Sequence, residues 1–224
     1  MSSGVAQRTT HPSTPQRSHR GNITGVRHQT AVRRIRTVAE RCQRVSGLWD
    51  DEPFLLAAYA FGAALEPGVD VDVVELAFVL NLPAEELPWG AEPQSLIGLS
   101  SLLEIDKAPV RWHWRPAAWP VANHLIHRPL RVWSLDGPDK AALDALERDE
   151  AERLRMPAPT VEQEREQLSV ELEASLAHLR SVEARFWERE WRSAHKGSGV
   201  HPENHLWDAV HGYLNLLAAA GQQL

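Results

Sequence analysis

The spacing in this chain that best suits chemistry is Asp70-Val71-Asp72, two carboxylates two residues apart at the head of an apolar run, Val73–Leu82. Residues i and i+2 of a strand point to one face. Asp70 and Asp72 on a strand would therefore offer two hard oxygen donors to a single divalent cation, the arrangement by which Mg is brought to nucleotide phosphates. Gly62 lies eight residues ahead of the pair. The competing reading is structural: the two acids solvate the start of a strand that leaves the Pro67-Gly68 turn.

Three further groups invite a chemical reading. Val110–Arg115 alternates, with Val110, Trp112 and Trp114 on one face and Arg111, His113 and Arg115 on the other. Guanidinium groups interleaved with aromatics, with Arg131 and Trp133 nearby, suit phosphate or a stacked base. The same stripe also fits a solvated sheet face. His201 and His205 are four apart, a metal-compatible spacing, but Pro202 interrupts the helical turn that would unite them, and His205 and His211 fall on different faces. His124 and His127 sit in a Pro-flanked loop with no acid beside them in sequence. Cys42, the only cysteine, lies on an apolar helix stripe and reads as a buried, inert thiol.

The run from an expected helix through Gly62, a short loop, the acidic pair and a hydrophobic strand resembles the entry to the nucleotidyltransferase fold over roughly residues 50–115. That resemblance implies that Gly62 borders the nucleotide phosphates, that Asp70 and Asp72 hold Mg, and that a third acid joins them from a later strand. Asp106 is the first choice for that acid and Glu104 the next. Arg111 or Arg115 would neutralise phosphate charge. The sequence departs from the family pattern in having Ala63 after Gly62 and a short loop to Asp70.

Several elements must position these residues. Val32, Ile35, Val38, Cys42 and Val45 form one stripe of a helix starting near Thr30 and stopping at Gly47. Asp50-Asp51-Glu52-Pro53 reads as the start of a second helix through Phe54, Leu55, Ala58, Phe61 and Leu65. Val71–Leu82 reads as a strand buried on both faces, Pro83–Trp89 as a turn or short helical piece, and Pro93–Leu103 as a helix. Val110–Arg115 and Leu130–Leu135 read as strands, and Asp136–Asp139 caps a helix ending near Leu146. Thr160 is the expected N-cap of a helix of about 30 residues carrying Leu168, Leu172, Leu176, Leu179, Val182 and Phe186. A last helix follows Pro202, with Leu206, Val210, Leu214 and Leu217 as its buried face. The expected fold class is α+β: a small mixed sheet of three or more strands with surrounding helices and a helical C-terminal part over 160–220.

Composition bounds the function. The chain has 224 residues, 43% hydrophobic and 24% charged, ordinary for one globular domain. No apolar run approaches the roughly 18 residues that span a bilayer, and the first thirty hold no secretory h-region, so a cytoplasmic location is expected. Nine arginines stand against one acid in residues 1–45, about +8, while the total is −6, which leaves about −14 on residues 46–224. Residues 1–29 read as a disordered basic tail ahead of a single domain over 30–224. An acidic body speaks against nucleic-acid binding except through that tail. Gly-x-Ser-x-Gly, Walker and Gly-x-Gly-x-x-Gly patterns are absent from the sequence.

Arginine outnumbers lysine 21 to 3, the bias of high-GC bacterial codon usage. AVRRIRTVAERC, DEPFLLAAYAFG, the segment Trp112–Trp133 with SLDGPD after it, and PENHLWDAVHGYLNLL together resemble an uncharacterised family of such bacteria over residues 30–220. That resemblance carries no activity to any residue. The sequence therefore points first to a non-catalytic domain that binds a protein partner or self-associates through its long helices. A nucleotidyltransferase-like enzyme or degenerate nucleotide binder using Mg is the alternative.

Overall fold

The computed structural model describes residues 27–48, 53–87, 89–197 and 201–222. The expected tail therefore lies almost wholly outside the described residues, as do Asp50, Asp51 and Glu52. Helix α1 (His28–Ser46) begins two residues earlier than its stripe suggests and ends at Gly47. Ala31, Val32, Ile35, Val38, Ala39, Cys42 and Val45 are all buried along it, and burial pushes the Cys42 thiol pKa far up.

Strands β1 (Leu55–Phe61), β2 (Val74–Leu80), β3 (Val110–Pro116), β4 (Leu130–Ser134) and β5 (Gly137–Pro138) form one mixed sheet in the order β3-β2-β1-β4-β5. The β2–β3 pair is parallel and the other neighbours are antiparallel. β1 corrects the expected second helix. Its Leu, Ala and Phe spacing fits a helical stripe, yet Ala57, Ala58, Ala60 and Phe61 are all buried. A run buried on both faces is what a central strand needs, and pairing on both edges outweighs alanine's helix propensity.

The sheet separates two apolar layers. On one face Leu55, Ala60, Leu76, Phe78, Trp114 and Val132 join α1 and helix α3 (Lys140–Glu147) in the main core. Asp139 caps α3 by accepting the Ala142 N–H. On the other face Phe61 and Ala77 meet Val121 and Ile126 of the β3–β4 connection. Between β2 and β3, a 3-10 turn over Ala84–Glu86 stands where a turn or short helical piece is expected, and a 3-10 turn over Gln94–Leu96 with the short helix α2 (Leu99–Leu102) replaces the expected Pro93–Leu103 helix.

The C-terminal third is helical. Thr160 and Gln163 form a reciprocal capping box at the start of α4 (Val161–Arg185). α5 (Arg189–Ala194) and α6 (Pro202–Gln222) follow. The expected buried face of α6 is corrected. Ala209, Gly212 and Leu216 are buried, whereas Leu214 and Leu217 are 52% and 46% exposed. The helix is rotated because Gly212 lets it approach the backbone of Trp89, whose carbonyl oxygen stands where a Cβ at 212 would be.

Gly212→Ala sets two effects against each other: alanine gains about 1 kcal/mol of helix propensity, and a methyl forced against a backbone carbonyl costs about 1–3 kcal/mol. The clash should dominate, so chemical denaturation should find the variant about 1 kcal/mol or more less stable. A stabilised variant would contradict this placement of α6.

Candidate functional site

The residues singled out by spacing do not converge. β2 starts at Val74, so Asp70 and Asp72 precede the strand, and both are exposed. Asp70 Oδ1 accepts the backbone N–H of His28 at 2.9 Å, satisfying a free donor in the first turn of α1. Asp106 accepts the Ser101 hydroxyl at 2.7 Å. Glu104 pairs with Arg41. Among the described residues no three His, Cys, Asp or Glu side chains form a group able to hold a metal ion. This donor set does not fit magnesium.

Gly62 and Arg111 are brought together, but by an acid. Gly62 has φ +73°, and the Glu75 carboxylate occupies the space a Cβ would fill. Phe61 and Glu75 face each other across β1 and β2, and Glu75 faces Arg111 across β2 and β3. Arg111 Nη1 donates to Glu75 Oε1 at 3.0 Å. A phosphate placed over Gly62 would meet that carboxylate's negative charge.

Arg115 belongs to a different arrangement. The alternation of β3 holds, but the 117–128 connection and α4 cover the Arg115 end of its polar face, while Arg111 at the other end is exposed. Arg115 and Glu171 are each 1% exposed and lie 2.7 Å apart. Asn123 Nδ2 donates to both Glu171 oxygens at 3.0 and 3.1 Å, and Gln167 Nε2 donates to Oε1 at 3.0 Å. Arg115 Nη2 donates to the Pro120 carbonyl at 2.8 Å, and its guanidinium stacks over Trp119. Asn123 Oδ1 accepts the N–H groups of Leu125 and Ile126, which folds the connection around the pair. A buried ion pair needs such partners, because several kcal/mol of desolvation per ion must be offset; of the Arg115 nitrogens only Nε lacks an acceptor among the described residues. Free volume beside it is about 10 Å³, too little for any ligand.

Two histidines of this region, His113 and His124, pack against the Trp89 ring with their pKa values held down. His113 lies between the rings of Phe61 and Trp89, and burial, then Arg115 and Arg111, push its pKa down to about 4. His124 is lowered mainly by burial, with Glu171, 3.6 Å away, opposing. His127 lies 3.4 Å from Glu164. The loop that has no acid beside it in sequence receives two from α4.

A cavity of about 510 Å³ opens where residues 85–97 meet α4, α5 and α6. His178, Trp191, His195, His205 and Asp208 are among its lining residues. His178 Nδ1 lies 3.1 Å from the Glu85 carbonyl, the Trp191 ring stacks on His195 with centroids 4.0 Å apart, and His205 meets His195 edge-on at 4.8 Å. Burial lowers the pKa values of His178 and His205 and raises that of Asp208. The size is that of a small-molecule site. Sequence spacing could not find it, since its histidines come from three separate segments.

Breaking the Arg115–Glu171 pair from one side should be far worse than removing both charges. Glu171→Gln leaves a buried guanidinium without a countercharge and should cost about 3 kcal/mol or more in urea denaturation. Arg115→Met with Glu171→Leu should cost clearly less than Glu171→Gln alone. A double variant at least as unstable as the single one would contradict a pair held together by mutual charge compensation.

No curated protein and no solved structure is matched by the chain. The model of the domain of unknown function DUF7711 matches residues 26–222, which spans the sheet and the helical third together, and the chain belongs to that family.

Proposed function

We propose that this protein is a non-catalytic, self-associating domain and that a second copy docks on the outer face of α6. The observation that carries the reading is the stripe Trp207, Val210, Leu214 and Leu217. Its 3-4-3 spacing is that of one helix packing on another, yet Trp207, Leu214 and Leu217 are 66%, 52% and 46% exposed.

Charge favours a second copy at this place. Residues 209–222 contain no Asp, Glu, Lys or Arg, and interface centres are depleted of such residues. With about −14 on residues 46–224, copies repel each other across most other surfaces. The stripe is symmetric about position 212, so a two-fold antiparallel pairing sets Trp207 against the partner's Leu217 and Val210 against the partner's Leu214. The exposed apolar area is roughly 300–400 Å² per copy, taking up to about 250 Å² for a tryptophan. A standard interface uses about 800 Å² per partner, so the association is weak and reversible. The alternative, a magnesium-using nucleotidyltransferase-like enzyme or nucleotide binder, loses its carriers: Asp70 caps α1, Glu75 fills the space at Gly62, and Arg115 is neutralised by Glu171.

Sedimentation equilibrium from about 5 to 500 μM should show the average mass rising from 25.1 kDa toward twice that value, with Kd on the order of 10–100 μM. Leu214→Glu should remain monomeric throughout. A wild-type protein that stays monomeric at about 500 μM would end this reading.

A further inference from the structure

The side of the fold opposite α4 and α6 carries a feature that self-association does not use. Between α1 and the segment leading into β3 lies a groove of about 310 Å³. Arg33, Arg34 and Arg41 of α1 and Lys107 line it, with Glu104 as the only acid, a formal +3. Thr30 and Thr37 add hydroxyls. This stands on a protein whose residues 46–224 carry about −14. Four cations gathered in one groove repel one another, and nothing in the apolar core requires them there.

How the α1 arginines are partnered separates this groove from an ordinary solvated helix face. Arg36, on the side toward α3, is satisfied twice, donating to Asp144 at 2.9 Å and Glu147 at 2.8 Å. Arg41 is held by Glu104 and directs Nη1 toward the Leu103 carbonyl at 3.4 Å. Arg33, Arg34 and Lys107 make no ion pair with any described residue. Among the described residues no hydrogen-bond acceptor meets the buried Arg34 Nη1 and Arg41 Nε atoms. A screened N–H without an acceptor costs about 1–3 kcal/mol, more when charged, and two guanidinium donors beside a free ammonium are completed by an oxyanion with several acceptor oxygens.

We propose that this groove binds the phosphate groups of a small phosphate compound, with Arg34 and Arg41 as guanidinium donors, Lys107 and Arg33 as flanking charges, and Glu104 as the acid that competes with the ligand for Arg41. Its volume suits a ligand of a few phosphate groups rather than a long polymer. The site is separate from the α6 face, so either can fail without the other.

Isothermal titration of the full chain with sodium pyrophosphate, at about 50 mM salt to limit screening, tests this. Binding is expected. Arg34→Gln and Lys107→Gln should each weaken it roughly tenfold, the effect of losing one charge-assisted contact. Glu104→Gln should tighten it several-fold by removing the competing acid, a change of sign that misfolding cannot produce. Arg44→Gln, outside the groove, should leave it unchanged. Three results would overturn the proposal. One is no heat up to about 10 mM pyrophosphate, a Kd weaker than any useful site. Another is equal weakening by Arg44→Gln and Arg34→Gln, which would mean a diffuse potential. The third is a single-stranded oligonucleotide binding more tightly than pyrophosphate with a log–log salt slope near −0.7 per phosphate, which would assign the groove to nucleic acid.

Discussion

The fold depends on one ion pair placed where no water reaches. Arg115 on β3 and Glu171 on α4 are fully buried against each other, and their desolvation is offset by Asn123 and Gln167 on the carboxylate and the Pro120 carbonyl on the guanidinium, with only the Arg115 Nε left without an acceptor among the described residues. Apolar contacts between the sheet and the helical third would tolerate sliding. The guanidinium–carboxylate pair and the two Asn123–Glu171 hydrogen bonds are directional and join α4 to the sheet side, so they fix where α4 stands and how it is turned about its axis.

Other features follow from that placement. α4 carries a polar line, Gln167, Glu171 and Ser175, toward the sheet, and these are three of the few buried polar residues. Further along the same face of the helix, Leu179 and Val182 join Leu206 and Ala209 of α6 in a separate cluster. α6 seats its small residues inward, Gly212 closing on Trp89, and its largest side chain, Trp207, turns out. The cavity lined by His178, His195 and His205 forms where the three helices fail to close over residues 85–97. The sheet thus keeps apart an uncharged apolar stripe on the helical side and a basic groove on α1.

What could be read from the sequence was whatever short-range chemistry determines. The α1 stripe with its Gly47 stop, the alternation of β3, and the caps at Asp139 and Thr160 depend on residues three or four apart, and each is found in place. β1 was misread because Ala57, Ala58 and Ala60 favour helix locally, and only β2 and β4 on its two edges make it a strand. The α6 face was misread by choosing the largest side chains, when close approach to Trp89 selected the smallest. At the candidate site, the alternation marks Arg111 and Arg115 but carries no sign of their partners. Glu75 lies 36 residues from Arg111, and Glu171 lies 56 residues from Arg115, inside a helix whose leucines gave the stronger signal. Asn123 carried no signal at all; a polar residue in a Pro-flanked loop reads as solvated until the helix that covers it is known. Asp70 and Asp72 do not share a strand face, for a local reason: the strand begins two residues after Asp72.

The central claim is that the Arg115–Glu171 pair makes the sheet and the helical third one cooperative unit. Native-state hydrogen exchange measures this directly, because amides that open together share one free energy. Amides of α4 around Glu171 and of β3 around Arg115 should exchange with the same, near-global free energy in the wild type. If α4 and α6 exchange through an opening several kcal/mol cheaper than that of β3, the helical third is a separate unit and the account is wrong.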